Sequence, residues 1–216
     1  MELVNSSYEL ITLLFLLSIF PLLVVMGTCF LKLSVVFSLL RNALGVQQTP
    51  PNIAIYGLAL VLTIFIMAPV GLEVNESLKG EKLSQDFGTF VEQINSKALD
   101  PYRQFLLHNT SSEQINFFSD MIKNNWPKKY RDKVASDSLL ILMPAFTVSQ
   151  LIEAFKIGLL LYLPFVAIDL IVSNILLAMG MMMMSPMTIS LPFKILIFLL
   201  VGGWDMILGQ LVGSYR

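Results

Sequence analysis

Two charged residues stand inside long apolar runs and are the strongest candidates for chemistry in this 216-residue sequence. Asp169 lies within the run 157–180, and Lys194 lies within the run 189–212. A lone charge at the centre of a bilayer costs at least ~2.5–3.5 kcal/mol, so such residues usually face a partner or a water-filled cavity. The short turn 181–188 allows the two runs to pack antiparallel. We therefore expect an ion pair or a shared polar network, within one subunit or between neighbours. In the alternative, Lys194 reaches the membrane interface and Asp169 is protonated.

Half of the methionines fall in one short stretch. Six of the twelve lie within nine residues: Met179, Met181, Met182, Met183, Met184 and Met187. Methionine is unbranched and polarizable, so it packs against many shapes and rearranges easily. Such side chains from several subunits could seal a pore and still yield to a passing polypeptide, with Met182 and Met183 as the expected pore-facing pair. The alternative is that the cluster packs between helices or touches lipid.

Residue patterns that support enzymatic chemistry are missing from the sequence. It has no phosphate-binding loop, no His-x-x-x-His and no Gly-x-Ser-x-Gly motif. Its one histidine, His108, lies in a polar stretch, and its one cysteine, Cys29, lies in an apolar run. We therefore expect no enzymatic activity, no metal and no cofactor. A net charge of −1 also argues against nucleic acid as a partner.

The elements that position these residues follow from composition. The hydrophobic fraction is 56% and only 13% of residues are charged, against about 25% in soluble proteins. Four apolar runs are long enough to cross a membrane as helices: 10–31, 53–71, 157–180 and 189–212. Several contain proline. The sequence predicts an all-α membrane protein with about four long, proline-broken helices that form hairpins. The first run is either a retained helix, which we favour because no basic residue precedes it, or a cleaved signal.

A polar segment separates the apolar hairpins. Residues 72–138 carry 19 of the 29 charged side chains. This divides the chain into an N-terminal helical hairpin (1–71), a small helical polar domain (72–138) and a C-terminal hairpin with the Met-rich loop (139–216). Within the polar domain, apolar residues at helical spacing predict a helix over 83–98. The start signals Asp100-Pro101 and Thr110–Glu113, and the stop signal Trp126-Pro127, predict two more.

The link between the first two apolar runs contains basic residues and a turn. Lys32 and Arg41 lie there without an acidic residue, so the positive-inside rule places this link in the cytoplasm and the polar domain in the periplasm. The prolines at 50 and 51 bias the backbone towards extended conformations before the second helix. We expect Arg41, Gln47, Pro50 and Pro51 to form a hairpin turn, with Arg41 as a topology anchor or as part of a partner contact.

Two sequence blocks carry a specific resemblance. The first combines Leu39–Gly45, Gln47–Asn52 and Phe65–Val70. The second contains Pro144–Phe146, Pro164-Phe165, Ile168-Asp169, Met179–Met184, Ile189–Lys194 and Gly203-Trp204. Together they resemble the FliP/SctR family of bacterial flagellar and type III secretion export gates. The length and the short polar domain are most like the virulence branch, of the surface presentation of antigens type.

The resemblance implies a function and an assembly. It implies a core subunit of the type III export apparatus in the bacterial inner membrane, forming the gate through which unfolded effector and needle proteins cross. It also implies a homo-pentamer joined by two other small membrane subunit types, with Met181–Met184 as a gasket and helices partly raised above the membrane lipid. Two other functions remain open from the residues alone. One is an ion-coupled secondary transporter using Asp169, and the other is a structural membrane scaffold.

Overall fold

The computed structural model describes residues 2–46, 50–79, 99–131, 134–135, 137–181 and 183–215. Their regular structure is helical throughout, as the composition predicts. The helices in chain order are α1 (Glu2–Gly27), α2 (Phe30–Leu44), α3 (Asn52–Lys79), α4 (Asp100–His108), α5 (Ser112–Asn125), α6 (Lys128–Arg131), α7 (Leu139–Ala178), α8 (Pro186–Leu200) and α9 (Gly203–Gly213). The helix predicted over 83–98 lies outside the described residues.

Helix α2 forms the centre of the main core. The segment from Lys32 to Arg41 was predicted as a loop between the first two apolar runs, and that prediction is wrong, because its apolar side chains bury one helical face. Leu33, Val36, Phe37 and Leu40 are almost completely buried. Residues from α3, α7, α8 and α9 complete this core: Ile55, Ala59, Ala154, Phe165, Phe198, Ile207 and Leu211.

A glycine sets the distance between α2 and α7. A Cβ added at Gly158 would lie 2.2 Å from Leu39 Cδ1 and 3.1 Å from Leu39 Cβ. Real Cβ atoms essentially never show a 2.2 Å contact, so Leu39 would have to shift to admit a side chain at position 158, and this close crossing favours glycine there. The two helices run in the same direction, since Lys32 near the start of α2 meets Glu153 and Leu39 meets Gly158.

The apolar runs bend at positions other than their prolines. Helices α1, α3, α7 and α8 continue through Pro21, Pro69, Pro164 and Pro192. The first break lies at residues 28–29, where Leu17–Gly27 and Phe30–Leu44 meet at 66°. The second lies at residues 201–202, where Pro186–Leu200 and Gly203–Gly213 meet at 62°.

Local chemistry accounts for both breaks. The hydroxyl of Thr28 donates to the Val24 carbonyl and accepts from the Phe30 amide, which satisfies backbone groups on both sides of the first break. At the second break Gly202 adopts a left-handed backbone with φ +66°, a conformation that favours glycine. Proline, by contrast, removes a single donor, and the described helices accommodate that loss.

The polar helices α4 and α5 pack on the first third of α7. Leu106, Leu142 and Phe146 form a second small core there. Two details of the predicted helix starts are wrong. Leu99, and not Asp100, takes the N-cap position before α4. Ser111, and not Thr110, takes that position before α5 without a side-chain cap hydrogen bond, and the Thr110 hydroxyl donates to the Leu106 carbonyl. The predicted end of α5 at Trp126-Pro127 is confirmed.

Much of the apolar surface is not covered by this chain. Among the described residues, α3 and α7 are long and apolar enough to cross a membrane, and the count rises to four if each bent pair is one span. In the most apolar 18-residue stretch of α3, only 17% is buried within the chain, and in that of α7 only 11% is buried. Exposed apolar faces of this size indicate contact with lipid or with other subunits.

Candidate functional site

The structure brings Asp169 and Lys194 together between α7 and α8. Lys194 Nζ lies 2.6 Å from Asp169 Oδ2, and the Ser190 hydroxyl donates to Asp169 Oδ1 at 2.5 Å. The lysine side chain is 3% exposed, whereas the carboxylate is 37% exposed. Because the ammonium is buried, it needs a partner of opposite charge, and the Asp169 carboxylate provides it. The arrangement is therefore a polar junction in an otherwise apolar contact.

Lys194 also reaches a third helix. Its ammonium donates to the Ala43 carbonyl at 3.2 Å, in the last turn of α2. The last four carbonyls of a helix have no partner within the helix, and the dipole makes this end partially negative. A cation placed there satisfies a free acceptor and the dipole together. The junction thus fastens α7 and α8 to the C-terminal end of α2.

The Met-rich loop joins α7 to α8 and has a defined start. The amide of Gly180 donates to the Leu177 carbonyl, and that of Met181 donates to the Leu176 carbonyl. With Gly180 at φ +75°, this is a Schellman motif that closes α7. Met183 is fully exposed, and Met179 is 65% exposed. Met182 lies outside the described residues. The thioethers that the structure describes in this loop are thus presented outward.

A side-chain contact between described residues spans the predicted hairpin turn. Helix α2 ends at Gly45, whose left-handed backbone donates to the Asn42 carbonyl. Arg41 Nη1 donates to Asn52 Oδ1 at the start of α3, which ties the two helices across the turn. Pro50 and Pro51 immediately precede α3, and Gln47 lies outside the described residues.

A second buried lysine was missed as a site residue. Lys32 is 1% exposed, and its Nζ lies 2.6 Å from Glu153 Oε2 and 3.0 Å from the Ser214 hydroxyl. The same ammonium lies 4.6 Å from the centre of the Tyr215 ring, within cation–π range. The sequence analysis used Lys32 only with Arg41, as a positive charge that orients the chain. The sequence pattern that could have predicted its burial is the helical spacing of Lys32 with the apolar residues Leu33, Val36 and Phe37.

The network continues from Tyr215 into the polar helices. The Tyr215 hydroxyl donates to Gln150 Oε1 at 2.5 Å, and Gln150 Nε2 donates to the Asn109 carbonyl at 2.7 Å. Burial raises the pKa of the Tyr215 phenol well above its ordinary value, so it remains a donor. This second junction joins α2, α7 and the end of α4 to the segment after α9.

These features define a class of protein. Bent apolar helices, ion pairs with a buried lysine between them and large uncovered apolar faces are typical of a subunit of a membrane-embedded assembly. Among the described residues, no three His, Cys, Asp or Glu side chains come together as a metal site. The family model described as FliP family matches residues 13–211. The chain belongs to the FliP family.

Several relatives match over essentially the whole chain. "Virulence protein YscR" of Salmonella typhimurium is 62% identical, and the alignment covers 100% of each chain. "Yop proteins translocation protein R" of Yersinia pestis is 55% identical over 97% of each chain. "Surface presentation of antigens protein SpaP" of Salmonella typhimurium is 37% identical, covering 98% of this chain and 97% of its own. The family resemblance carried by the two sequence blocks is confirmed.

Proposed function

We propose that this chain is a core subunit of a bacterial type III secretion export apparatus. In this function it helps to form the gate through which unfolded effector and needle proteins cross the inner membrane. The observation that carries the proposal is the family match over residues 13–211, together with relatives named for virulence and for translocation of Yop proteins. The uncovered apolar faces of α3 and α7 are compatible with a subunit of a larger complex.

The assembly we propose is a homo-pentamer joined by two other small membrane subunit types. Two glycines on α9 have open space around them, since a Cβ at Gly209 or Gly213 would meet nothing within 4 Å. This small-residue spacing lets another helix approach closely. The subunit has no enzymatic role in this proposal, and energy for export comes from elsewhere in the apparatus.

The polar helices face the periplasm in the proposed orientation. Lys32 no longer supports this orientation, because its charge is buried and paired with Glu153. The remaining support is Arg41 at the α2–α3 turn, opposite to the end of α7 that packs against α4 and α5. Positive charge at the turn places it on the cytoplasmic side.

The Met-rich loop is proposed as the gasket of the closed gate. Its described methionines are exposed in the single chain, so their side chains are available to contact neighbouring copies. Thioether side chains seal by packing and adapt to different shapes. The residues assigned to the gasket are Met181, Met182, Met183 and Met184.

The contacts of Asp169 favour a different role from that in a secondary transporter. Its carboxylate already accepts from Lys194 and Ser190, so a transported proton or cation would have to displace a buried ammonium. We therefore assign Asp169 and Lys194 to helix packing within the gate.

The mass and composition of the complex test the proposal. The full-length chain, expressed with the rest of its secretion system and purified in mild detergent, should elute as a large hetero-oligomer with several copies of this subunit. Deleting its gene should abolish secretion while the cells still synthesise the secreted proteins. A small homogeneous particle that takes up a solute with pH dependence would contradict the export function and favour the transporter.

A further inference from the structure

Two charged side chains on apolar helices have no partner in the part of the chain that the structure describes. Lys156 of α7 and Asp205 of α9 are both exposed, and neither makes a hydrogen bond or an ion pair there. The other described charges of α7, α8 and α9 are paired: Glu153 with Lys32, and Asp169 with Lys194. One positive and one negative charge therefore remain on the outside of the C-terminal hairpin.

Both charges stand on surfaces that are otherwise apolar. Lys156 lies about 26 Å from the start of α7 and about 33 Å from its end, so it is not a helix-end residue. Its neighbours Phe155 and Leu159 are apolar and exposed. Asp205 lies in the first turn of α9, where the helix dipole favours the charged carboxylate. Away from water, each charge needs a group of opposite sign.

The two charges lie at a similar depth along the helices. The positive charge follows Glu153 by three residues, about 4.5 Å along α7. Phe37 follows Lys32, the partner of Glu153, by five residues, about 7.5 Å along α2 in the same direction. The ring of Trp204 lies next to that of Phe37, with ring centres 6.4 Å apart, and the negative charge belongs to the residue after this tryptophan. The two levels thus differ by about 3 Å, which is less than one helical turn.

Two groups at this common depth would pair within the chain if they faced each other. They are exposed and unpaired among the described residues, so they face different sides, and one copy does not neutralise both. We propose that Lys156 of one copy forms an ion pair with Asp205 of the neighbouring copy. Each copy then offers one surface to one neighbour and a different surface to the next. Such a head-to-tail contact produces a ring when the rotation between copies closes.

The side chains beside the two charges fit the same contact. Gly209 follows Asp205 by one turn on α9, and a Cβ there would meet nothing within 4 Å. Ile152 precedes Lys156 by one turn on α7 and is 37% exposed. Helix α9 runs opposite to α7, because the residue after its end returns to the buried Lys32 near the start of α2. When the charges pair, the isoleucine therefore lies opposite the glycine and fills its open space.

Cross-linking beside the charges tests this contact, which rests on the proposed assembly of several copies and names the two surfaces that meet. The background is Cys29→Ala, which removes the one cysteine of the sequence. Copies with Ile152→Cys and copies with Gly209→Cys, carrying different tags, are produced together in cells that contain the rest of the secretion system. A short bismaleimide should yield a dimer that contains both tags.

The matched control places the first cysteine elsewhere on the same face of α7. Leu170 is exposed and lies 18 residues, or five helical turns, beyond Ile152. This places it about 27 Å further along the helix. Copies with Leu170→Cys and copies with Gly209→Cys should therefore give no dimer.

Charge exchange in the same cysteine variants tests the ion pair itself. Lys156→Asp in all copies should lower the dimer yield by about tenfold or more, because two carboxylates then meet. Adding Asp205→Lys should restore most of the yield. The pairing is overturned by a multi-copy complex that forms without the dimer, which leaves the proposed assembly standing. It is also overturned if Asp205→Lys gives no recovery, which would indicate a lipid phosphate as the partner of Lys156. A wild-type chain that remains a single copy in these cells would overturn the proposed assembly as well.

Discussion

The ammonium of Lys32 lies 2.6 Å from the carboxylate of Glu153, a residue 121 positions further along the chain. The two partners differ sharply in their surroundings, because the lysine side chain is 1% exposed and that of the glutamate is 45% exposed. An ion pair with one buried member responds unequally to loss of either charge. Removing the glutamate strands a charge in the core, whereas removing the lysine leaves a carboxylate that is still half accessible.

We therefore expect Glu153→Gln to destabilise the chain more than Lys32→Met. Breaking a fully buried pair costs about 3–5 kcal/mol, and the exposed half of Glu153 reduces this, so about 1–3 kcal/mol is expected for Glu153→Gln. Lys32→Met preserves the apolar stem and should cost less. Thermal unfolding of the two variants in the same detergent measures the order. Equal losses, or a larger loss for Lys32→Met, would contradict the asymmetric burial.

The crossing of α2 and α7 gives a second prediction. Gly158→Ala should destabilise the chain by about 1–3 kcal/mol, because the new methyl group meets Leu39. The double variant Gly158→Ala, Leu39→Ala should recover part of that loss, since the shortened side chain makes room. Gly57→Ala is the matched control, because Gly57 lies in α3 with open space around its Cα and alanine favours helix. Denaturant titration of the purified chain should show no loss of stability for the control.

Sequence reasoning reached the Asp169–Lys194 junction because both charges flank one short turn. Two apolar runs joined by the segment 181–188 have few ways to pack, and a buried charge on each has few partners. The Lys32–Glu153 junction had no such constraint. Nothing local connects two residues 121 positions apart, and the three-dimensional arrangement of α2 beside α7 decides the pairing.

The helical class and the apolar runs follow from composition, whereas the bends do not. Proline was expected to break the helices, yet the breaks lie at Thr28-Cys29 and Val201-Gly202. A helix tolerates the one backbone N–H donor that a proline lacks when packing supports the surrounding turn. At the observed breaks, the Thr28 hydroxyl bonds backbone groups on both sides, and Gly202 adopts a left-handed conformation that ends the helix. The contact between Gly158 and Leu39 could not be predicted either, because a glycine in an apolar run does not indicate which residue of another helix packs against it.

Exchange of the charges at 169 and 194 should rescue assembly only in part. Asp169→Lys or Lys194→Asp alone places two like charges at the junction and should strongly reduce the amount of assembled complex. The double exchange restores opposite charges. A carboxylate at position 194 would nevertheless face the Ala43 carbonyl and the negative end of α2, where the native ammonium donates. Native gels of detergent extracts should show an intermediate yield. No rescue at all would argue against direct pairing as the function of these residues.

Arg41 should matter through its contact with Asn52. Arg41→Glu replaces a donor by an acceptor facing the Asn52 side-chain oxygen and also reverses the charge at the α2–α3 turn. We expect a lower yield of inserted or assembled subunit, and reduced secretion as a consequence. Arg41→Lys keeps the positive charge while losing the guanidinium geometry, so it separates the topological effect from the contact. Unchanged complex yield and secretion in Arg41→Glu would exclude both functions.

The proposed gasket predicts a leak that depends on side-chain size. Replacing Met181–Met184 by alanine or glycine should leave the complex assembled, because the described methionines of this segment are exposed and contribute little to the core of the single chain. The closed gate should then conduct small ions, since short side chains cannot fill the constriction. Leucine at the same four positions should keep the gate tight, because it seals with similar volume. Ion flux into vesicles containing the purified complexes, or single-channel current, measures the difference. Assembled alanine variants as tight as the wild type would exclude the gasket assignment.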